Sequence, residues 1–130
     1  MILKDLPVEQ IVSHITSKEI SVDEVVEYYL ERIKKFNHSL NAIVSLKSEE
    51  KIREEARNKK LHKTKEGKEK LLFGLPLAVK DLTDVKGLPT SYGLPELKNN
   101  IANQNSIIVD RLINHGAIIM GKTNTPEFGI

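Results

Sequence analysis

Cysteine and tryptophan are both absent from the 130 residues. Without cysteine there are no disulfides, no thiolate nucleophile and no Cys-based zinc site. The four histidines, at 14, 38, 62 and 115, show neither HxxxH nor HxH spacing, so no metal site is expected. Aromatics make up only 5%, which leaves the packing to aliphatic side chains. Charge of one sign is also lacking: 20 basic residues against 18 acidic leave +2, and no nucleic-acid partner is expected from that balance. Long apolar runs are missing too. The opening MILKDLPVEQ is broken by Lys4, Asp5 and Pro7 before a signal-like stretch develops, and no later run approaches bilayer length. The expectation is a soluble cytoplasmic protein with no membrane partner.

What is present is 39% hydrophobic residues in a chain the length of one ordinary domain. Folded compactly, such a chain buries about two-thirds of the surface its unfolded form exposes. Residues 51–70 concentrate nine Lys/Arg against four Glu, leaving the remainder near −3. With Glu interspersed and no aromatic, that stretch is expected to be a solvated helix followed by a Lys-rich linker at about 59–70.

Val8, Ile11, Val12 and Ile15 recur at i, i+3, i+4, i+7 and predict a helix with Pro7 at its first turn. Ser21 and Glu24 form a capping box for a second helix. That helix carries Val22, Val25, Val26, Tyr29, Leu30 and Ile33 on one face and is expected to stop near Phe36-Asn37. The two should pack as a pair. Residues 42–46 (AIVSL) predict a strand, and 48–61 a surface helix with a thin stripe of Ile52, Ala56 and Leu61. The run 71–79 (LLFGLPLAV) predicts a buried strand beginning after Pro76, since proline cannot donate to a central ladder. The segment 81–105 is long and holds Gly87, Pro89, Gly93 and Pro95; loops of this length are often functional. Asn105 or Ser106 then caps a helix with Ile107, Ile108, Leu112 and His115 on one side, ended by Gly116. A second buried strand follows at 117–120. Helix, Gly turn and apolar strand in succession imply an α/β fold with partly parallel pairing.

Lys80 stands at the C-terminal end of the first apolar strand, where reacting groups collect in open α/β sheets. From position alone the commoner reading is a surface lysine that terminates a strand. A base role would need Lys80 neutral; burial beside positive dipoles can lower an amine's pKa by about three units. Asp81 reads as a plain loop residue or turn former. Gly121-Lys122-Thr123 does not read as a phosphate loop, because the residues between Gly116 and Gly121 are apolar strand. Asn124 and Glu127 are expected to brace a turn, and His115 to sit at a helix C-terminus favoured by the macrodipole.

Several segments, in order, carry a resemblance. Gly74-Leu75-Pro76-Leu77-Ala78-Val79-Lys80-Asp81 resembles the G-[IL]-P-x-x-[VI]-K-D segment of the amidase signature family. Residues 30–33 (LERI) with 40–42 (LNA), the loop 83–93 (TDVKGLPTSYG) and the block 116–129 (GAIIMGKTNTPEFG) are similar to the family in the same order. The resemblance covers essentially the whole chain. It implies an amide hydrolase with a Ser–cis-Ser–Lys triad on a mixed sheet between helical layers, with Lys80 in the place of the triad lysine. In that scheme the lysine withdraws a proton through a bridging serine from the nucleophilic serine, an acyl-enzyme forms, and water releases it. Backbone N–H groups beside the nucleophile hold the oxyanion.

Both family serines and the Gly/Ser-rich oxyanion segment lie downstream of the 116–129 block. None of the serines at 13, 17, 21, 39, 45, 48, 91 and 106 has such a context, Ser91 being the least implausible substitute. Leu94 and Asn105 are smaller departures from the family's usual Ser and Asp. The wording at 124–129 (NTPEFG) and 91–95 (SYGLP) favours the general amidases over the A component of the tRNA-dependent amidotransferase. The expected organisation is an incomplete amidase domain over 1–130: N-terminal helices over 1–37, then the start of an α/β/α mixed-sheet core over 41–130. The expected substrate is a small-molecule amide, with no cofactor and no metal. A homodimer or a complementary C-terminal fragment is the possible partner. Alone, the chain is expected to be inactive, and partly unfolded or aggregating for want of strand neighbours. The alternatives are a protein like the A component of the glutamyl-tRNA(Gln) amidotransferase and a non-catalytic assembly module.

Overall fold

The computed structural model describes residues 3–130. Helix α1 (Val8–Thr16) and helix α2 (Val22–Leu40) form the expected pair. They close on each other through Ile11, Ile15 and Val25, together with Leu3, Phe73 and Leu75 from outside the pair. Val8, expected on the stripe, lies half out in solvent. Pro7 precedes the first helical residue and makes no side-chain cap. The capping box of α2 is complete: the Glu24 N–H donates to Ser21 Oγ at 3.1 Å, and the Ser21 N–H donates to Glu24 Oε2 at 2.8 Å. Both bonds satisfy N–H groups that the first turn leaves without helical partners.

Helix α2 runs past the expected stop at Phe36-Asn37 to Leu40. No Gly or Pro interrupts it there, and the chain turns only at Asn41, which adopts the left-handed conformation (φ 48, ψ 40) and serves as the C-cap. Asn37 instead clamps the next strand: its Nδ2 donates to the Ile43 carbonyl at 2.9 Å and its Oδ1 accepts from the Ile43 N–H at 2.8 Å.

Strand β1 (Ile43–Leu46) leads to helix α3 (Glu49–Arg57), capped by Ser48 and ended at Asn58. The predicted extension to Leu61 does not form, and Leu61 is exposed. The thin stripe is Ile52 and Ala56, both buried. Strand β2 (Pro76–Lys80) includes its proline, which an edge strand tolerates because one side of its ladder is unpaired. It is half-buried rather than buried, with Ala78 and Lys80 exposed. Helix α4 (Ile107–Asn114) is capped by Ser106, whose hydroxyl accepts from the Val109 N–H. Ile107 and Ile108, expected to face inward, are exposed; Val109 is the residue fully buried. Strand β3 (Ile118–Thr123) is longer than predicted and carries Gly121 and Lys122 within it.

The sheet order is β1-β3-β2, with β1 antiparallel and β2 parallel to the central β3. On one face Ile118 and Met120 pack with Val26, Leu30, Ile52 and Ala56 of α2 and α3. On the other, Ile119 packs with Val109 of α4 and with Val85 and Leu88 of the 81–105 loop. A mixed α/β fold with helices on both faces results, as expected. Gly121 is required by close approach: a Cβ there would lie 2.2 Å from the Ser45 carbonyl oxygen of β1.

One lysine of the basic stretch departs from the solvated reading. Lys59 folds back so that its Nζ donates to the Ala117 carbonyl at 3.2 Å, beside Glu55 at 3.4 Å. Burial pushes its ammonium below the usual lysine value, against the opposing pull of Glu55.

Candidate active site

Lys80 is the last residue of β2 and lies opposite Thr123 on β3. The strand ends there because the chain curls back: the Leu82 and Thr83 N–H groups donate to the Lys80 carbonyl at 2.7 and 3.0 Å. Its side chain is exposed and joins none of the ion pairs formed among the described residues. The burial that would favour a neutral amine is therefore not supplied by these residues.

Asp81 is the opposite case. It is 2% exposed and is the hub of the loop. Its N–H donates to Thr123, and its carbonyl accepts from Tyr92 at 3.0 Å. Its Oδ1 accepts from Lys122 Nζ and from the Ser91 N–H, each at 3.1 Å, while Oδ2 accepts from the Ser91 hydroxyl. Lys122 is fully buried and also donates to the Pro89 carbonyl at 3.0 Å and to Thr90 Oγ1 at 3.3 Å. Three N–H donors meet three acceptors, which is the full capacity of an ammonium. The Thr90 hydroxyl in turn donates to Asp84 Oδ1 at 2.7 Å. The 81–105 loop is thus pinned to the central strand by one buried ion pair and its ring of hydrogen bonds.

The sequence reading gave Asp81 no role beyond the loop and Lys122 none at all. The available signal was a lysine inside an apolar strand; such residues are rarely buried unpaired. What hid it was the strand's register. Pairing with β2 shifts between Leu77 and Ala78, so that Ile119 and then Gly121 are matched and Met120 is not. Strict alternation would set Lys122 beside Ile118 and Met120. The shift re-aims it to the side of Val79, its ladder partner, and of the loop.

Residues 91–95 and the end of the chain meet beside this network. Tyr92 and Gly93 both have positive φ, and a Cβ on Gly93 would lie 2.8 Å from the carbonyl oxygens of Thr125 and Pro126. The Phe128 N–H donates to Tyr92 O at 2.7 Å. Asn124 braces its turn as expected, its Oδ1 accepting from the Thr125 N–H at 2.8 Å, while its N–H donates to Ala42 O and its Nδ2 to Asn41 O. A cleft of about 220 Å³ is left between Ser45, Asp81, Pro89, Ser91, Lys98 and Asn124. His115 is the C-cap residue of α4. Among the described residues no three His, Asp or Glu side chains gather as a metal site, and no helix is long and apolar enough to cross a membrane.

The class of protein is fixed by comparison with known families. Residues 24–130 match the Amidase family model, and the chain belongs to that family. Among its relatives is the acylamidase of Rhodococcus erythropolis, 40% identical over 126 residues, an alignment covering 95% of this chain and 26% of that protein. The A component of the glutamyl-tRNA(Gln) amidotransferase of Methanosarcina mazei is 38% identical over 130 residues, covering all of this chain and 25% of the relative. An amidase family protein from Bacillus anthracis superposes with a TM-score of 0.77 at 30% identity, over 95% of this chain and 25% of that one. The chain therefore spans about a quarter of the length of these relatives.

Proposed function

We propose that this chain supplies the lysine base of a Ser–cis-Ser–Lys amidase that converts an amide to a carboxylate plus ammonia or an amine. The observation that carries the reading is Lys80 at the exit of β2, inside the stretch that matches the Amidase model, with its ammonium uncommitted. The proton passes from the nucleophilic serine through the bridging serine to Lys80, and the acyl-enzyme is released by water. Both serines and the oxyanion donors belong to a part of the protein outside these residues. That part would also bury Lys80 and so favour its neutral form. Residues 1–130 would then be an incomplete domain, inactive on amides by itself and completed by the remainder or a complementary fragment. A general amidase acting on a small-molecule amide in the cytoplasm is the preferred version, with a homodimer or a complementary C-terminal fragment as its partner. Similarity to the amidotransferase A components keeps a second reading open, that of a protein like the A component of the glutamyl-tRNA(Gln) amidotransferase.

The test is made on the full-length protein with a simple aliphatic or aryl amide, following release of the amine. Lys80→Ala should abolish acylation with the fold intact. Lys80→Arg should fail as well, because a guanidinium does not give up its proton. Near-normal turnover by the Arg variant would refute the assignment.

A further inference from the structure

We infer that Lys122 is a positioning residue for Lys80: it occupies the Asp81 carboxylate and so leaves the neighbouring ammonium unclaimed. The inference rests on the proposed role of Lys80 as base. The sequence sets a carboxylate directly after that lysine, and adjacent residues of this kind do pair in this chain: Lys4 Nζ donates to Asp5 Oδ1 at 2.6 Å. At Lys80 the same pairing would be damaging. It would hold the proton that a base must be able to lose, and it would draw the side chain from the open side of β2 toward the loop.

The network prevents this by leaving Asp81 no need of a second cation. Oδ1 is held by Lys122 and the Ser91 N–H, and Oδ2 by the Ser91 hydroxyl. Lys122 itself has no freedom to leave, being 0% exposed and tied also to Pro89 and Thr90. The charged groups around Asp81 are Lys122 from β3, Lys98 across the small cleft, Asp84 reached through Thr90, and Lys80. A buried carboxylate without its cation is costly, and Lys80, adjacent to Asp81 in the chain, is the lysine inferred to take that place.

The test compares wild type, Lys122→Met, Asp81→Asn and the double variant of the full-length protein, reacted with acetic anhydride at one fixed pH. Acetylation is read by mass spectrometry at Lys80 and at exposed Lys60. In Lys122→Met, labelling of Lys80 should fall about tenfold, the lower end for an opposite charge within about 4–6 Å, with Lys60 unchanged. The double variant should regain the wild-type rate at Lys80, since no carboxylate is left to pair. Undiminished labelling in Lys122→Met, with Asp81 turned to Lys98 instead, would overturn the inference, as would suppression that persists in the double variant. Should Lys122→Met fail to fold, Asp81→Asn decides: its Lys80 should label as in wild type, and a tenfold gain would mean that Asp81 already held Lys80. Labelling needs no turnover, so an active Lys80→Ala would sink the base assignment and leave this comparison standing.

Discussion

Removing the Lys122 ammonium should loosen the 81–105 loop far more than any surface lysine could. In Lys122→Met the Asp81 carboxylate keeps its two Ser91 donors but loses its buried cation, capture of Lys80 requires drawing an exposed ammonium out of solvent, and the Pro89 carbonyl loses its partner. Breaking one side of a buried ion pair costs about 3–5 kcal/mol, and a pair rebuilt with a lysine drawn from solvent returns little of it. At 1.4 kcal/mol for each power of ten, the opening equilibrium of the loop should rise by roughly two to three and a half decades. Native-state hydrogen exchange reads this at particular amides. The Ser91 N–H is bonded to Asp81 Oδ1, the Tyr92 N–H to Asp81 O, and the Ser106 N–H to Asp84 O. All three should lose protection together, whereas Leu30 within α2 should not. Replacing both partners, as in Asp81→Asn with Lys122→Met, should restore most of the protection, since no charge is then stranded. Protection at Ser91 and Tyr92 that changed less than tenfold in the single variant would refute the reasoning.

Gly121→Ala should destabilise by about 3 kcal/mol in calorimetry, because the clash at 2.2 Å is with backbone of β1 and cannot be relieved by a rotamer change. Ser21→Ala should cost about 1 kcal/mol in urea unfolding through loss of the α2 cap. The Ser21 N–H and hydroxyl hold the Glu24 carboxyl below its usual value. Its contribution is thus complete above the unfolded value of about 4.3 and is lost as pH falls through the lower folded one, so Glu24→Gln should flatten the acid limb of stability. Lys59 works in the other direction: its folded value is lowered, so its desolvation cost stands at neutral pH and is relieved as pH rises toward the unfolded value of about 10.4. Wild type should therefore gain stability over Lys59→Met between neutral and alkaline pH, as measured by denaturant unfolding.

The helices were largely legible because their signals are local. Ser21 and Glu24 announce α2, and the spacing of Ile11 and Ile15 and the position of Val25 orient the pair that meets there. Helix ends were read less well: nothing in residues 37–40 (NHSL) forbids helix, and only the left-handed turn at Asn41 stops it. Ile107 and Ile108 misled because apolar side chains at the start of a helix look like core, while the buried position is set by what lies opposite, here Ile119 and Leu88. Lys80 was found from its place at a strand exit and from the motif around it. Asp81 and Lys122 are 41 residues apart in the chain, and their meeting depends on a parallel pairing and a register shift that no local pattern records.

That register shift lets one short strand answer to two different sets of demands. Up to Met120, β3 is judged by volume: Ile118 and Met120 fill the space under α2 and α3, and a missing methylene there leaves a void. From Gly121 onward it is judged by charge and by clearance, since Lys122 must present an ammonium to a loop and Gly121 must let β1 pass. Met120, unmatched at the end of the first half, changes the phase of the second, so neither requirement constrains the other. Hydrophobic substitutions can accumulate in the first half without turning the lysine away from its carboxylate. A single inserted or deleted residue between Met120 and Lys122 has the contrary effect, setting a charged group against the apolar layer and stripping the loop of its anchor, though composition would be almost unaltered.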